Sequence, residues 1–133
     1  MAHIIDKVAW LRLETGQILS TRSRGKDAYY LPGGKREAGE SDLDTLVREI
    51  EEELSVRIQR ETAVHFGTFE AQAHGKSEGT IVRMTCYTAE YRGTLAANHE
   101  IEEVAWLTYA DRERVAPVDQ IIFDQLKEAG QLL

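Results

Sequence analysis

The chain has 133 residues, a length that predicts a single domain spanning residues 1–133. Lys and Arg total 16 and Asp and Glu total 23, which gives a formal net charge of −7. Long nucleic acids are bound through cationic contacts with phosphates, so an acidic chain without a basic run argues against a nucleic acid polymer as partner. The 42% hydrophobic content argues against disorder, and one cysteine excludes a disulfide framework. No segment predicts a signal peptide or a membrane span, so we expect a cytoplasmic protein without a membrane partner.

The first part of the chain predicts strands that lead into a glycine-containing loop. Residues 4–13 are rich in apolar and β-branched types, and a turn signal at 14–16 separates them from a strand over 17–21, which predicts a hairpin. A polar loop over 22–27 and the short run 28–31 follow. The breaker Pro32-Gly33-Gly34 then predicts a turn.

The clearest predicted helix runs from Ser41 to Leu54, and Ser41 and Asp44 have the spacing of a capping box. Apolar residues at helical spacing predict one buried face: Leu43, Leu46, Val47, Ile50 and Leu54. At about 100° per residue, Glu49, Glu52 and Glu53 share an arc beside that face, whereas Glu51 lies on its other side. On the helix alone, a solvated acidic face is the commoner interpretation. A divalent cation would relieve the repulsion, and carboxylates suit magnesium or manganese.

The second half predicts more strands and a closing helix. Strands are expected over 56–71 with an internal turn, over 80–91 and over 104–109, and an amphipathic helix over 118–129 ends at Gly130. Strands outnumber helices, which favours an α+β fold. Cys86 is expected in the core, and His3, His65, His74 and His99 lack the spacing of a zinc site. The last helix either packs on the sheet alone or also forms a dimer interface, so the chain is expected to be a monomer or a homodimer.

The segment from Gly34 to Val56 resembles the Nudix box. In that pattern a glycine is followed after five residues by glutamate, and after seven more by Arg-Glu, an aliphatic residue, any residue, Glu-Glu, any residue, glycine and an aliphatic residue. The matching positions are Gly34, Glu40, Arg48, Glu49, Ile50, Glu52, Glu53 and Val56. The preceding Leu31-Pro32-Gly33 and the acidic stretch before Trp106 are also typical of the family. Ser55 departs from the pattern, because it stands where the family has glycine.

This resemblance implies a Nudix-type fold with a mixed β-sheet sandwiched between helices. It implies hydrolysis of a nucleoside diphosphate linked to another group, with Mg²⁺ or Mn²⁺ as cofactor. The family pattern gives the metal ligands as the carboxylates of Glu49, Glu52 and Glu53 and the backbone carbonyl of Gly33, with Glu40 as a supporting or additional metal group. Arg48 would orient the carboxylates. Glu52 and Glu100 are the candidates for the general base, and Glu103 is a weaker third.

The substrate is less well defined by the sequence. Arg22, Arg24 and Lys35 are candidate phosphate ligands, Tyr29 and Tyr30 could stack on a base, and Arg83 faces either solvent or the substrate cleft. A short chain without other substrate markers resembles the small MutT-like members, which convert a (deoxy)nucleoside triphosphate to monophosphate and pyrophosphate. The alternatives are a pyrophosphatase of ADP-ribose or another nucleoside diphosphate derivative, a non-catalytic nucleotide-binding module, and a structural domain without metal.

Overall fold

The computed structural model describes residues 3–73, 76 and 78–133, so His74 lies outside the described residues. The strands are β1 (His3–Trp10), β2 (Leu13–Glu14), β3 (Gln17–Ser23), β4 (Gly33–Lys35), β5 (Arg57–Ile58), β6 (Val64–Gln72), β7 (Thr80–Thr88), β8 (Tyr91–Arg92) and β9 (Ile101–Leu107). The α-helices are α1 (Asp42–Leu54) and α2 (Pro117–Glu128), and two 3₁₀ helices cover Arg60–Thr62 and Tyr109–Arg114.

The main sheet is mixed, with strand order β4-β1-β7-β6. Strands β1 and β7 run parallel, while β4 and β6 pair antiparallel to their neighbours. A second antiparallel sheet has the order β2-β3-β9, and β5 pairs with β8. The architecture confirms the predicted α+β class with a mixed sheet.

The two faces of β1 separate two apolar cores. Val8 and Trp10 pack in the core under α1, whereas Ala9 and Leu11 pack in the core that includes α2. This alternation follows from the period of two in a strand, and it leaves the sheet between the two helices. Cys86 is fully buried in the α2 core, as predicted. Within the described residues, no helix is long and apolar enough to cross a membrane.

Three predicted strand boundaries are wrong. In the predicted hairpin only β2 pairs with β3, because the chain leaves the main sheet after Trp10 and β1 takes β4 and β7 as partners. The run over 80–91 is interrupted at Ala89 and Glu90, where the chain passes from the main sheet to the β5–β8 pair. The last predicted strand, 104–109, lies at Ile101–Leu107 because its pairing with β3 begins at Ile101.

The predicted turn at Pro32-Gly33-Gly34 is a short edge strand, β4, that pairs with β1. Gly33 has a φ of 149°, and a Cβ there would lie 2.1 Å from the carbonyl oxygen of Val8. Only glycine lets the two backbones approach so closely. The strand places this backbone directly beside the C-terminal half of α1.

Candidate active site

Helix α1 begins and ends as its sequence predicts. Ser41 and Asp44 form a reciprocal capping box, which fixes the first turn. At the other end Ser55 adopts the left-handed conformation with φ 63°, and its N–H donates to the carbonyl of Glu51. A left-handed residue after a helix is normally glycine. Ser55 therefore keeps the expected geometry at a conformational cost.

Glu53 is the most buried acidic residue of α1, with 6% of its surface exposed. Its Oε1 accepts a hydrogen bond from the N–H of Gly33 at 3.1 Å. Burial, together with the nearby carboxylates of Glu49 and Glu100, raises the pKa of Glu53 to about 8. A cation at this point would remove the cost of ionising a buried carboxyl group.

Arg48 joins three parts of the site. Its Nε and one terminal nitrogen donate to the two carboxylate oxygens of Glu40 at 2.7 and 2.8 Å. The other terminal nitrogen donates to Glu49 at 2.9 Å, and Arg48 also reaches the carbonyl of Lys35 at 3.2 Å. The Arg48 hydrogen bonds, helped by the N–H of Glu37, hold the pKa of Glu40 at about 2. Glu40 is therefore ionised at neutral pH and holds the Arg48 guanidinium in place through two hydrogen bonds. This arrangement supports the orienting role predicted for Arg48.

The remaining glutamates of α1 lie on two sides of the helix, as the helical periodicity predicts. Glu49 is largely buried, and its carboxylate lies so close to Gly34 that a Cβ on Gly34 would be 2.3 Å from the carboxyl carbon. Burial raises the pKa of Glu49, against the effect of Arg48. Glu52 is half exposed and lies 3.7 Å from Arg48. Glu51 lies on the other side of the helix, where it pairs at the surface with Arg57 at 3.7 Å.

The chemistry of these residues fits a divalent cation. In the part of the chain that the structure describes, no three His, Cys, Asp or Glu side chains are arranged to hold an ion. The donor types are carboxylates and a backbone carbonyl, which hard cations prefer. Glycines 33 and 34 leave room for the carboxylates of Glu53 and Glu49 beside the backbone.

A cavity of about 400 Å³ begins at these carboxylates and extends towards α2. Charged residues line the end near α1, namely Glu49, Glu53, Glu100, Lys35 and Lys7, and Lys26 and Lys76 also line the cavity. Apolar residues predominate at the end near α2, namely Ile5, Leu31, Val82, Ala116, Pro117 and Val118. Tyr30 also lines the cavity. The volume is in the range of small-molecule sites.

Several predicted substrate residues lie outside this cavity. Arg22 pairs with Glu102 at 2.8 Å and also contacts Glu103. The Arg83 guanidinium pairs across the strands with Glu70 at 2.5 Å, so its charge is paired on the surface of the sheet. Neither of them lines the cavity, and neither does Arg24. Of the predicted phosphate ligands, the structure brings Lys35 to the site.

Tyr29 and Glu103 form a supporting cluster away from the cavity. The hydroxyl of Tyr29 donates to Glu103 at 2.7 Å, and the guanidinium of Arg114 lies 4.9 Å from the Tyr29 ring. The hydrogen bond from Tyr29 lowers the pKa of Glu103, with Arg22 adding to the effect. Tyr29 is buried in the core, whereas Tyr30 faces the cavity. Glu103 is therefore poorly placed for the role of general base, and Glu100 lines the cavity.

The sequence did not indicate Lys7, Lys26 and Lys76, which line the cavity, or Asp119, which is buried beside it. Lys7 lines the cavity from β1, where it follows Ile5 on the same strand face. Asp119 is fully buried in α2, directly after the lining residues Pro117 and Val118. A lysine within an apolar strand and an aspartate on the apolar face of a helix were the available signals. Neither signal predicts a buried charge, because Lys and Asp are rarely buried in proteins.

Comparison with known proteins gives a family and a fold. The sequence model of the NUDIX domain matches residues 4–126. No curated protein matches the chain in sequence.

Solved structures share the fold over nearly the whole chain. The E. coli ORF135 protein is 26% identical with a TM-score of 0.74, and the match covers 96% of this chain and 94% of that one. A MutT NUDIX hydrolase from Burkholderia pseudomallei is 21% identical with a TM-score of 0.77, covering 93% and 98%. A UDP-X diphosphatase is 20% identical with a TM-score of 0.62, covering 96% of this chain and 61% of that one.

Proposed function

This chain belongs to the Nudix family of pyrophosphohydrolases, and from that premise we propose that it hydrolyses (deoxy)nucleoside triphosphates to monophosphate and pyrophosphate with Mg²⁺ or Mn²⁺. The observation that carries the proposal is that one cavity joins Glu49 and Glu53 of α1 to an apolar chamber. A nucleotide has the same division, because its phosphates are anionic and its base is flat and largely apolar.

The acidic end supplies the groups for the metal and the phosphates. Glu49, Glu52 and Glu53 and the carbonyl of Gly33 would hold the cation, and Glu40 supports them through Arg48. The metal's contribution is to offset charge on the phosphates and to acidify a bound water. Lys35 lines the same end and would bind a phosphate as a point charge.

The general base is assigned to Glu100 or Glu52. Glu100 lines the cavity, and its carboxylate is close enough to Glu49 and Glu53 to affect both of their pKa values. Glu52 lies on the arc of α1 that carries the other glutamates and stays half exposed beside Arg48. Replacing each by glutamine separates the two, because loss of the base removes the lower limb of the pH–rate profile, whereas loss of a ligand raises the metal requirement.

The apolar end would receive the nucleoside. Tyr30 offers a ring to the base, and Leu31, Val82 and Val118 supply apolar walls. Arg22, Arg24 and Arg83 have no part in the proposed site, because they lie outside the cavity.

The test is product release from a panel of nucleotides, with magnesium, with manganese and with a chelator. The panel holds nucleoside triphosphates, ADP-ribose, dinucleoside polyphosphates and nucleotide sugars. We expect metal-dependent formation of monophosphate and pyrophosphate from triphosphates. Glu53→Gln should lower kcat by more than about 100-fold, while Glu51→Gln, its matched control on the other side of α1, should not change it. Turnover confined to a nucleotide sugar or ADP-ribose would replace the proposed substrate, and nucleotide binding without turnover would indicate a binding module.

A further inference from the structure

Two lysines stand directly opposite each other in the sheet that borders the cavity. In the antiparallel pairing of β1 with β4, Lys7 is the partner of Lys35. Both residues line the cavity, so their side chains lie on the same face of the sheet. The Cβ atoms of directly opposed residues are about 5 Å apart, and like charges in this position repel each other. The pairing therefore places two repelling ammonium groups side by side in the cavity.

Neither ammonium has a hydrogen-bond acceptor in the part of the chain that the structure describes. The Lys7 ammonium lies 4.9 Å from the centre of the Tyr30 ring, a cation–π contact that leaves its three N–H donors unused. The contact of Lys35 with Arg48 is made by the Lys35 backbone carbonyl. The carboxylates at this end have other partners, since Glu49 accepts from Arg48 and Glu53 accepts from the N–H of Gly33. Both lysines are thus free to bind an anionic ligand.

Lys7 lies where the charged part of the cavity meets the apolar part. Strand β1 runs between β4 and β7 in the sheet. On the β4 side, Lys7 faces Lys35 at the end that Glu49 and Glu53 also line. On the β7 side, the preceding residue of the same face, Ile5, pairs with Val82, and both belong to the apolar lining. A ligand that reaches from the glutamates into the apolar part therefore passes over Lys7.

We propose that Lys7 and Lys35 together bind the α-phosphate, the phosphate attached to the nucleoside, each ammonium donating to one of its non-bridging oxygens. This inference rests on the proposed function, since it takes the phosphates to lie at the glutamates and the nucleoside in the apolar part. Phosphate oxygens accept strong charge-assisted hydrogen bonds, and their negative charge offsets the repulsion between the two lysines. The monophosphate product retains the α-phosphate and therefore retains both contacts.

A nucleoside 5′-monophosphate and its nucleoside test this directly, because they differ only in the α-phosphate. AMP, GMP, CMP and UMP are titrated with magnesium and followed by NMR, which covers weak affinities and needs no turnover. The monophosphate that binds most tightly is then compared with its nucleoside in the variants. Lys7→Met should weaken the monophosphate by at least about tenfold and the nucleoside by less than about threefold, because the lost hydrogen bond reaches only the phosphate.

The variant Lys35→Met tests whether the two lysines share one phosphate. Alone, it should weaken the monophosphate by a factor similar to that of Lys7→Met. In the double variant, the weakening should differ by at least about threefold from the product of the two single effects, because groups that contact the same phosphate are energetically coupled. Two independent effects would assign the lysines to different phosphates and contradict the shared site.

Two controls separate this site from the general charge of the cavity. Lys26→Met removes a lysine that also lines the cavity but lies in the loop after β3, and it should weaken the monophosphate by less than about threefold. Lys7→Arg retains a charged donor and should retain most of the affinity. If Lys7→Met does not fold, as judged by circular dichroism, Lys7→Gln removes the charge from a side chain of similar length, and the same loss is expected.

Failure of this inference can be distinguished from failure of the proposed function. Three results would overturn the α-phosphate site while metal-dependent turnover of triphosphates stands: a monophosphate that binds no more tightly than its nucleoside, Lys7 variants that bind it as the wild type does, and an equal loss in Lys26→Met. If no monophosphate binds and no triphosphate is hydrolysed, the proposed function fails and the role of Lys7 fails with it.

Discussion

The two ends of the cavity hold their charges in opposite ways. At the α1 end each buried or half-buried carboxylate has a partner within the chain: Glu40 and Glu49 bind Arg48, and Glu53 accepts from Gly33. Behind the α2 end, by contrast, Oδ1 of the fully buried Asp119 has no hydrogen-bond partner among the described residues. The first end is preorganised by one contiguous segment and can be recognised from spacing. The second is assembled from segments far apart in the chain, since Asp119 of α2 accepts a hydrogen bond from the backbone N–H of Leu31.

The largest effect is expected from the backbone contact that builds the α1 end. Gly33→Ala would place a Cβ 2.1 Å from the carbonyl oxygen of Val8 at a φ of 149°. We expect a loss of at least about 3 kcal/mol in the free energy of unfolding, with activity lost as well. Gly39→Ala is the control, because Gly39 has a positive φ but nothing within 4 Å of the added Cβ. Urea denaturation of both variants measures the difference, and equal stabilities would mean that the β1–β4 contact does not position the site.

A smaller effect should follow from changing the geometry of Arg48 without its charge. Arg48→Lys retains the cation but loses the two-pronged contact with Glu40, so Glu49 loses its orientation. We expect kcat/KM to fall by about 10- to 100-fold with the fold intact. Arg57→Lys is the matched control, since Arg57 is exposed and contacts Glu51 at 3.7 Å. Similar rates for both variants would remove Arg48 from the site.

The sequence predicts features that lie within one segment of the chain better than features that join distant segments. The capping box at Ser41, the buried stripe and the glutamate arc are set by residues within one helix, and all were predictable from periodicity. The hydrogen bond from Gly33 to Glu53 was not predictable in this way. Pro32-Gly33-Gly34 predicts a turn, and only the pairing with β1 makes this segment a strand. Lys7 and Asp119 could be recognised only in the folded chain, because β1 and α2 lie at opposite ends of the sequence. The ion pairs of Arg22 and Arg83 could not be predicted for the same reason, since their carboxylate partners come from other strands.

The pH dependence of stability tests the burial of Glu53. In the metal-free chain its folded pKa is about 8, against an ordinary value of 4.5. Between these values the folded state binds a proton that the unfolded state does not, so this group's contribution is complete below about pH 4.5 and is lost as the pH rises through 8. Glu53→Gln should therefore melt at least about 4 °C higher than the wild type at pH 9 without metal, and the gap should narrow towards pH 5. A gap that is independent of pH would mean that Glu53 ionises normally.

The smallest effect concerns the end of α1. Ser55 holds a left-handed conformation that costs a non-glycine residue about 1 kcal/mol. Ser55→Gly should raise the free energy of unfolding by up to that amount, less the extra freedom glycine gives the unfolded chain, and should leave kcat unchanged. Thermal melting beside a rate assay checks both parts. A loss of stability would show that the serine side chain stabilises this turn.

The account depends most on α1 binding a cation through the arc that carries Glu53 and not through the side that carries Glu51. Titration of the metal-free protein with Mn²⁺, followed by the electron paramagnetic resonance signal of the free ion, measures this directly. The account predicts that Glu53→Gln weakens Mn²⁺ binding by at least about tenfold, while Glu51→Gln binds as the wild type does. Equal binding by the wild type and both variants would place the metal elsewhere and contradict the proposed site.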